Sequence, residues 1–100
     1  MSVDIQEKHR SIIQGILAKP ERRDLAVYVF GSRTKGTAGK YSDLDLAVDN
    51  DGNPLPSQVM LHLLIDFENS LLPYKVDVVD LNNISAEFKS IILPDLHKFN

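Results

Sequence analysis

Three aspartates carry the strongest chemical signal in this chain. Asp43 and Asp45 form an Asp-Leu-Asp pair, and Asp77 lies inside the valine-rich stretch KVDVVD. Alternation along a strand puts Asp43 and Asp45 on one face and Leu44 and Leu46 on the other. At about 6 Å and an effective dielectric of about 20, two such charges repel by roughly 3 kcal/mol. A divalent cation turns the repulsion into attraction, and Mg2+ is usually held by one or two carboxylates together with substrate phosphates. On its own, an Asp-x-Asp pair reads more readily as a solvated strand end. Asp77 shifts that balance. Val76 and Val78 mark one face of its strand, leaving Lys75, Asp77 and Val79 on the other. A charge placed there is costly unless it is paired, hydrogen-bonded or on metal. If its strand lies beside the second, Asp77 completes a set of three carboxylates. Such a set can hold two metal ions and take a nucleophile's proton. Asp80 falls on the valine face at the strand's end and reads as an exit or cap residue.

A second group of residues suits phosphates. Gly31-Ser32 directly follows the apolar run LAVYVF. A glycine there lets the backbone approach a ligand closely, and a helical turn starting at it presents N–H groups to phosphate oxygens. The Ser32 hydroxyl can donate one more hydrogen bond, and Arg33, Lys35 and Lys40 supply charge opposite a triphosphate. Alone, the same residues would read as a flexible surface loop. The stretch is not a Walker-type loop, because the Gly-Lys-Ser/Thr ending is missing.

The elements that must position these groups follow from periodicity. Val3 to about Lys19 reads as a helix, with Ile5, Ile12, Ile13, Ile16 and Leu17 at helical spacing, Ser2 or Asp4 able to cap it, and Pro20 beyond its end. Leu25–Phe30 is apolar on both faces, as in a central strand. Leu44–Val48 is the second strand, closed by the turn-formers Asp49 to Pro54. Ser57 to about Leu72 is a second helix, on which Val59, Leu63, Phe67 and Leu71 recur every four residues. Lys75–Leu81 is a third strand, and Ser85 caps a last helix running towards Pro94. The tail DLHKFN reads as irregular. The order predicts an α/β (α+β) fold: a small mixed sheet flanked by helices on one or both faces, with the second and third strands joined through a helix.

Composition narrows the class. One hundred residues, 43% apolar and 25% charged, suit one soluble domain spanning 1–100. No apolar run reaches the roughly 20 residues of a membrane span, and the first residues lack the basic start and apolar stretch of a signal peptide. Cysteine is absent, so disulfides and thiolate metal sites are excluded. A cytoplasmic protein is expected. The net charge of −3 argues against a surface that grips nucleic acid as a whole. His9, His62 and His97 have no ligand spacing and read as surface or satisfied positions. Tyr28 reads as core and Tyr74 as structural, while Tyr41 either stacks on a nucleobase or anchors its loop. Ile91-Ile92-Leu93 with Phe99 is either a contact surface or the packed side of the last helix.

Taken together, VFGSRTKG, SDLDLAV and KVDVVD resemble the nucleotidyltransferase superfamily typified by DNA polymerase beta. Gly31-Ser32 stands ten residues before Asp43-Leu44-Asp45, with a third Asp on a later strand. The length and wording are similar to the minimal nucleotidyltransferases (MNT) of bacteria and archaea, over roughly 26–80. The resemblance implies a mixed sheet flanked by helices and transfer of a nucleoside monophosphate from a nucleoside triphosphate, with Mg2+ (two ions) and release of pyrophosphate. Carried over, Asp43 and Asp45 bind the metals, Asp77 is the third carboxylate and base, and Gly31 and Ser32 hold the β- and γ-phosphates. Many minimal members pair with a neighbouring HEPN-domain protein as antitoxin and toxin, and transfer AMP from ATP to a tyrosine of the HEPN toxin. The implied partners are therefore a HEPN protein and ATP. The alternative is a catalytically weak nucleotide-binding module that acts by binding a HEPN partner. Larger relatives carry an extra domain for the acceptor. In this chain the acceptor is expected on a partner protein or through a homo- or hetero-oligomer.

Overall fold

The computed structural model describes residues 5–35, 39 and 41–100. Lys40, and Ser2 and Asp4 expected to cap the first helix, lie outside the described residues; that helix begins at Glu7, with Gln6 at its N-cap and no side-chain cap. The chain runs through α1 (Glu7–Leu17), β1 (Ala26–Phe30), a 3-10 turn over Gly31–Thr34, β2 (Leu44–Asp49) and α2 (Ser57–Glu68). It continues through β3 (Val76–Asp80), α3 (Ala86–Ile92), a 3-10 turn over Leu93–Asp95 and β4 (His97–Lys98). The fold is the expected α/β arrangement, with a mixed four-stranded sheet in the order β3-β2-β1-β4. β1 pairs antiparallel with β2 and β4, whereas β2 and β3, joined through α2, are parallel.

One face of the sheet is built by Val27 and Val29 of β1, Leu44, Leu46 and Val48 of β2, and Val76 and Val78 of β3. Ile13, Ile16 and Leu17 of α1 and Leu63 and Phe67 of α2 close the core over it. The heptad-like spacing of the isoleucines on α1 is thus used as a single apolar stripe. Tyr28, Phe30, Ala47 and Val79 lie on the opposite face, where Leu81, Ile92 and Leu96 cover them. Asp45 and Asp77 share that second face by alternation.

Three elements differ from the sequence reading, the first being α1, which spans Glu7–Leu17 instead of Val3 to about Lys19. The tail is not irregular: His97 and Lys98 pair with Val29 and Tyr28, Phe99 donates its N–H to the Val27 carbonyl at 2.8 Å and is buried, and the Asn100 side chain bonds Leu25 and Val27. A two-residue strand has too little periodicity to be seen in sequence. The second helix stops at Glu68 rather than Leu72. The Ser70 hydroxyl donates to the Phe67 carbonyl at 2.6 Å and accepts from the Leu72 N–H, wrapping the helix end. Leu71 consequently swings out and is 89% exposed.

A buried arginine fastens α1 to α2. Arg22 donates to the Ile16 carbonyl at 2.9 Å and to Glu21 at 3.1 Å, and it also pairs with Asp66 of α2. Lys19 reaches the same carboxylate at 2.8 Å. These donors hold the Asp66 carboxyl below its ordinary range, Lys19 foremost and then Arg22. Asp80 is likewise structural in its contacts. Its two oxygens accept from the N–H groups of Leu55 at 2.7 Å and Asn82 at 2.9 Å, tying the start of α2 to the end of β3.

Candidate active site

The strand register assembles the site. Phe30, the last residue of β1, stands opposite Asp45 of β2, and Asp45 stands opposite Asp77 of β3. Thus the turn that begins at Gly31 meets the Asp-Leu-Asp strand on one side, and the third aspartate meets it on the other. Gly31 has φ +82°, a left-handed conformation that glycine adopts without strain. A Cβ at this position would lie 2.4 Å from the Asp45 Oδ2 atom. The glycine is therefore required twice, for its backbone angle and for the carboxylate pressed against it. Thr34 closes the turn by donating its hydroxyl to the Gly31 carbonyl at 2.8 Å.

Burial raises the pKa of Asp45 above its ordinary value, and the negative charges of Asp77 and then Asp43 raise it further. Asp45 therefore feels the charges of both other aspartates from its place on the sheet. Asp43 is exposed just before β2, and Asp77 is half-exposed with its Oδ1 atom 3.3 Å from the Lys75 ammonium. Among the described residues, no set of three His, Cys, Asp or Glu side chains already stands at metal-holding spacing. The expected three-carboxylate cage is thus not preformed. Asp77 is instead paired with Lys75. The donor set still fits Mg2+, which prefers hard oxygen ligands and commonly takes only one or two carboxylates plus phosphate oxygens.

The residues expected to meet phosphates are placed in two ways. Gly31 and Ser32 are partly exposed at the start of the turn, and Lys35 is exposed with its ammonium 3.3 Å from Asp95. Arg33 points elsewhere. It is only 5% exposed, its Nε and Nη2 atoms donate to the Ser42 carbonyl at 3.2 and 2.7 Å, and its guanidinium lies 4.0 Å from the Tyr74 ring centroid. Tyr41 is exposed two residues before Asp43. Lys75 pairs with Asp77, a partnership that their shared parity at the start of β3 makes possible. Nothing in the sequence distinguished buried Arg33 from a solvent-facing cation.

A cleft of about 540 Å³ opens between α2 and β3, lined by the apolar Leu64, Phe67, Leu72, Tyr74 and Val76 and by the charged Glu68, Lys75 and Asp77. Its volume lies within the roughly 300–1,000 Å³ of small-ligand sites. The edge therefore presents, in spatial order, a phosphate-suited turn, two strands bearing carboxylates, and a cleft. Such an order can hold a charged phosphoryl donor along the turn and the carboxylate edge, and admit a nucleophile beside Asp77.

Comparison with known proteins identifies the family. A family model described as "Nucleotidyltransferase domain" matches residues 10–99. The chain is 40% identical over 90 residues to "Probable protein adenylyltransferase MntA" of Haemophilus influenzae, covering 90% of this chain and 77% of that one. It is 30% identical over 94 residues to MJ1379 of Methanocaldococcus jannaschii, likewise named for protein adenylyltransfer, covering 93% and 89%. Among solved structures, a chain of "Crystal structure of the toxin-antitoxin with AMP-PNP" superposes with a TM-score of 0.66 at 26% identity. The match covers 91% of this chain and 72% of that chain.

Proposed function

The chain belongs to the nucleotidyltransferase domain family, and on that premise we propose that it transfers AMP from ATP to a hydroxyl of a partner protein. The proposed acceptor is a tyrosine of a cognate HEPN toxin, which makes this chain the antitoxin. The observation that carries the reading is the register Phe30–Asp45–Asp77, which brings the Gly31-Ser32 turn and both carboxylate strands to one edge. Two relatives named for protein adenylyltransfer and a neighbour from a toxin–antitoxin complex with AMP-PNP support the choice of donor and context.

In this mechanism Gly31 and Ser32 receive the β- and γ-phosphates, and Lys35 leaves Asp95 to meet the same charge. Asp43 and Asp45 hold Mg2+, with Asp77 as the third ligand. When bound, the cation neutralises the triphosphate and polarises the α-phosphoryl group. Asp77 accepts the acceptor hydroxyl's proton as its oxygen bonds the α-phosphorus and the bond to pyrophosphate breaks. An in-line displacement with pyrophosphate leaving at the Gly31-Ser32 turn brings the acceptor from the opposite side. That is the Asp77 side, where the β3 cleft lies; its apolar walls suit a phenol's ring and the Asp77 carboxylate suits its hydroxyl, with Glu68 and Lys75 also on the lining. Arg33 takes no phosphate in this scheme.

The test is incubation of the chain with labelled ATP, Mg2+ and the product of the neighbouring gene, followed by detection of label on protein. Label on the partner is expected. Nucleotide bound without transfer would instead establish the binding module.

A further inference from the structure

Arg33 makes contacts that a phosphate ligand does not need. Its backbone belongs to the turn that starts with Gly31-Ser32, and its guanidinium donates twice to the carbonyl of Ser42, the residue before Asp43. The other surface of the guanidinium lies on Tyr74, three residues before Asp77. Tyr74 is itself buried, and its ring meets His9 of α1 edge-on at 5.3 Å and 82°. Next to this pile, the Leu44 N–H donates to the Lys75 carbonyl at 2.9 Å, joining the starts of β2 and β3. One side chain therefore touches all three segments that carry the site.

We propose that Arg33 is a positioning residue that sets the spacing of the phosphate turn against the Asp43-Asp45 strand and the Asp77 strand. The proposal rests on the nucleotidyltransferase reading of the site. Guanidinium chemistry suits this part. It is planar, so it can stack on a ring while its edge donates two bonds to one carbonyl, and it stays charged when buried. A lysine ammonium can do neither the stacking nor the two-point donation from the same place. Burying such a charge is costly unless it is hydrogen-bonded, so the carbonyl and the ring are also what keep Arg33 in place. Loss of either partner should loosen the same geometry, and that sets this role apart from direct phosphate binding, in which Tyr74 would have no share.

The experiment measures ATP affinity by calorimetry with and without Mg2+, alongside transfer kinetics, for wild type, Arg33→Lys, Tyr74→Leu and Tyr74→Phe. Coupling between two bound ligands typically spans about 5–150-fold, and the tightening of ATP by Mg2+ in wild type is expected within that range. Arg33→Lys and Tyr74→Leu should each lose most of the tightening, with metal-free ATP affinity nearly unchanged. Their kcat should fall by about 10–100-fold, on the scale of a misplaced reacting group. Tyr74→Phe keeps the ring and should keep the coupling. Three results would overturn the proposal: full coupling in Tyr74→Leu, a wild-type kcat in Arg33→Lys, or a loss confined to metal-free ATP affinity. If Mg2+ fails to tighten ATP even in wild type, the metal assignment fails and this proposal fails with it. If wild type couples and the variants couple equally, this proposal alone is refuted. Tyr74→Leu keeps the test decisive should Arg33→Lys not fold.

Discussion

Replacing Gly31 by alanine separates backbone strain from damage to the site. Gly31 and Gly52 have nearly the same backbone angle, φ +82° and +81°. Alanine at either position is forced into the left-handed region, at a cost of about 1–2 kcal/mol. Their surroundings differ. A Cβ at Gly52 meets nothing within 4 Å, whereas at Gly31 it falls 2.4 Å from Asp45 Oδ2 and 3.3 Å from Asp45 Cγ. Asp45 lies on a strand paired on both sides, so its backbone has little room to yield. The carboxylate itself must retreat by about 1 Å, a displacement that can cost about 10²-fold in rate. Gly52→Ala is therefore expected to lower the unfolding free energy by about 1–2 kcal/mol with transfer intact. Gly31→Ala should lower it by at least as much and also reduce transfer by about 10²-fold. Denaturant unfolding and label transfer, run on both variants, decide the matter. Near-normal transfer by Gly31→Ala would refute the claim that its contact with Asp45 shapes the site.

Three further outcomes follow from the same geometry. Asp45 has a raised pKa, so its share of stability is full below the ordinary carboxylate value of 3.8 and is lost as pH rises through the higher folded value. Asp45→Asn should thus raise the Tm of the metal-free protein at neutral pH, lose that advantage below about pH 4, and abolish transfer; a lower Tm at neutral pH would contradict this. Asp77→Asn should reduce kcat far more than ATP affinity, and a loss seen only in affinity would leave Asp77 as a ligand and remove its role as base. His9 is buried against Tyr74, and burial, then Lys8 and Arg33, lower its pKa from 6.5. Its contribution is full above that value and is lost as pH falls towards the folded value. Thermal melts from pH 7 to 5 should show less loss of stability in His9→Gln than in wild type.

Much of the site could be read from residue types because its parts obey local rules. Alternation placed Asp77 opposite the valine face, and glycine after an apolar strand marked the turn. The helices were visible for a similar reason: Ile13, Ile16, Leu63 and Phe67 form the stripes that bury them. What escaped depends on contacts between distant segments. Arg22 and Arg33 look like surface cations in sequence, yet one is held by Ile16 and Asp66 and the other by Ser42 and Tyr74. Leu71 fits the four-residue repeat of α2, but Ser70 ends the helix before the repeat can bury it. The pairing of His97 and Lys98 with β1 is also non-local. No window around the tail contains the strand that orders it.

The central claim is transfer of a nucleotide, not of a phosphoryl group, to a partner protein. Its most direct measurement uses ATP labelled in parallel at the α- or the γ-phosphate, with Mg2+ and the neighbouring gene product. The expected result is α-label on the partner, γ-label released as pyrophosphate, and neither event with Asp43→Ala. Absence of α-label from the partner, with ATP bound, would contradict it.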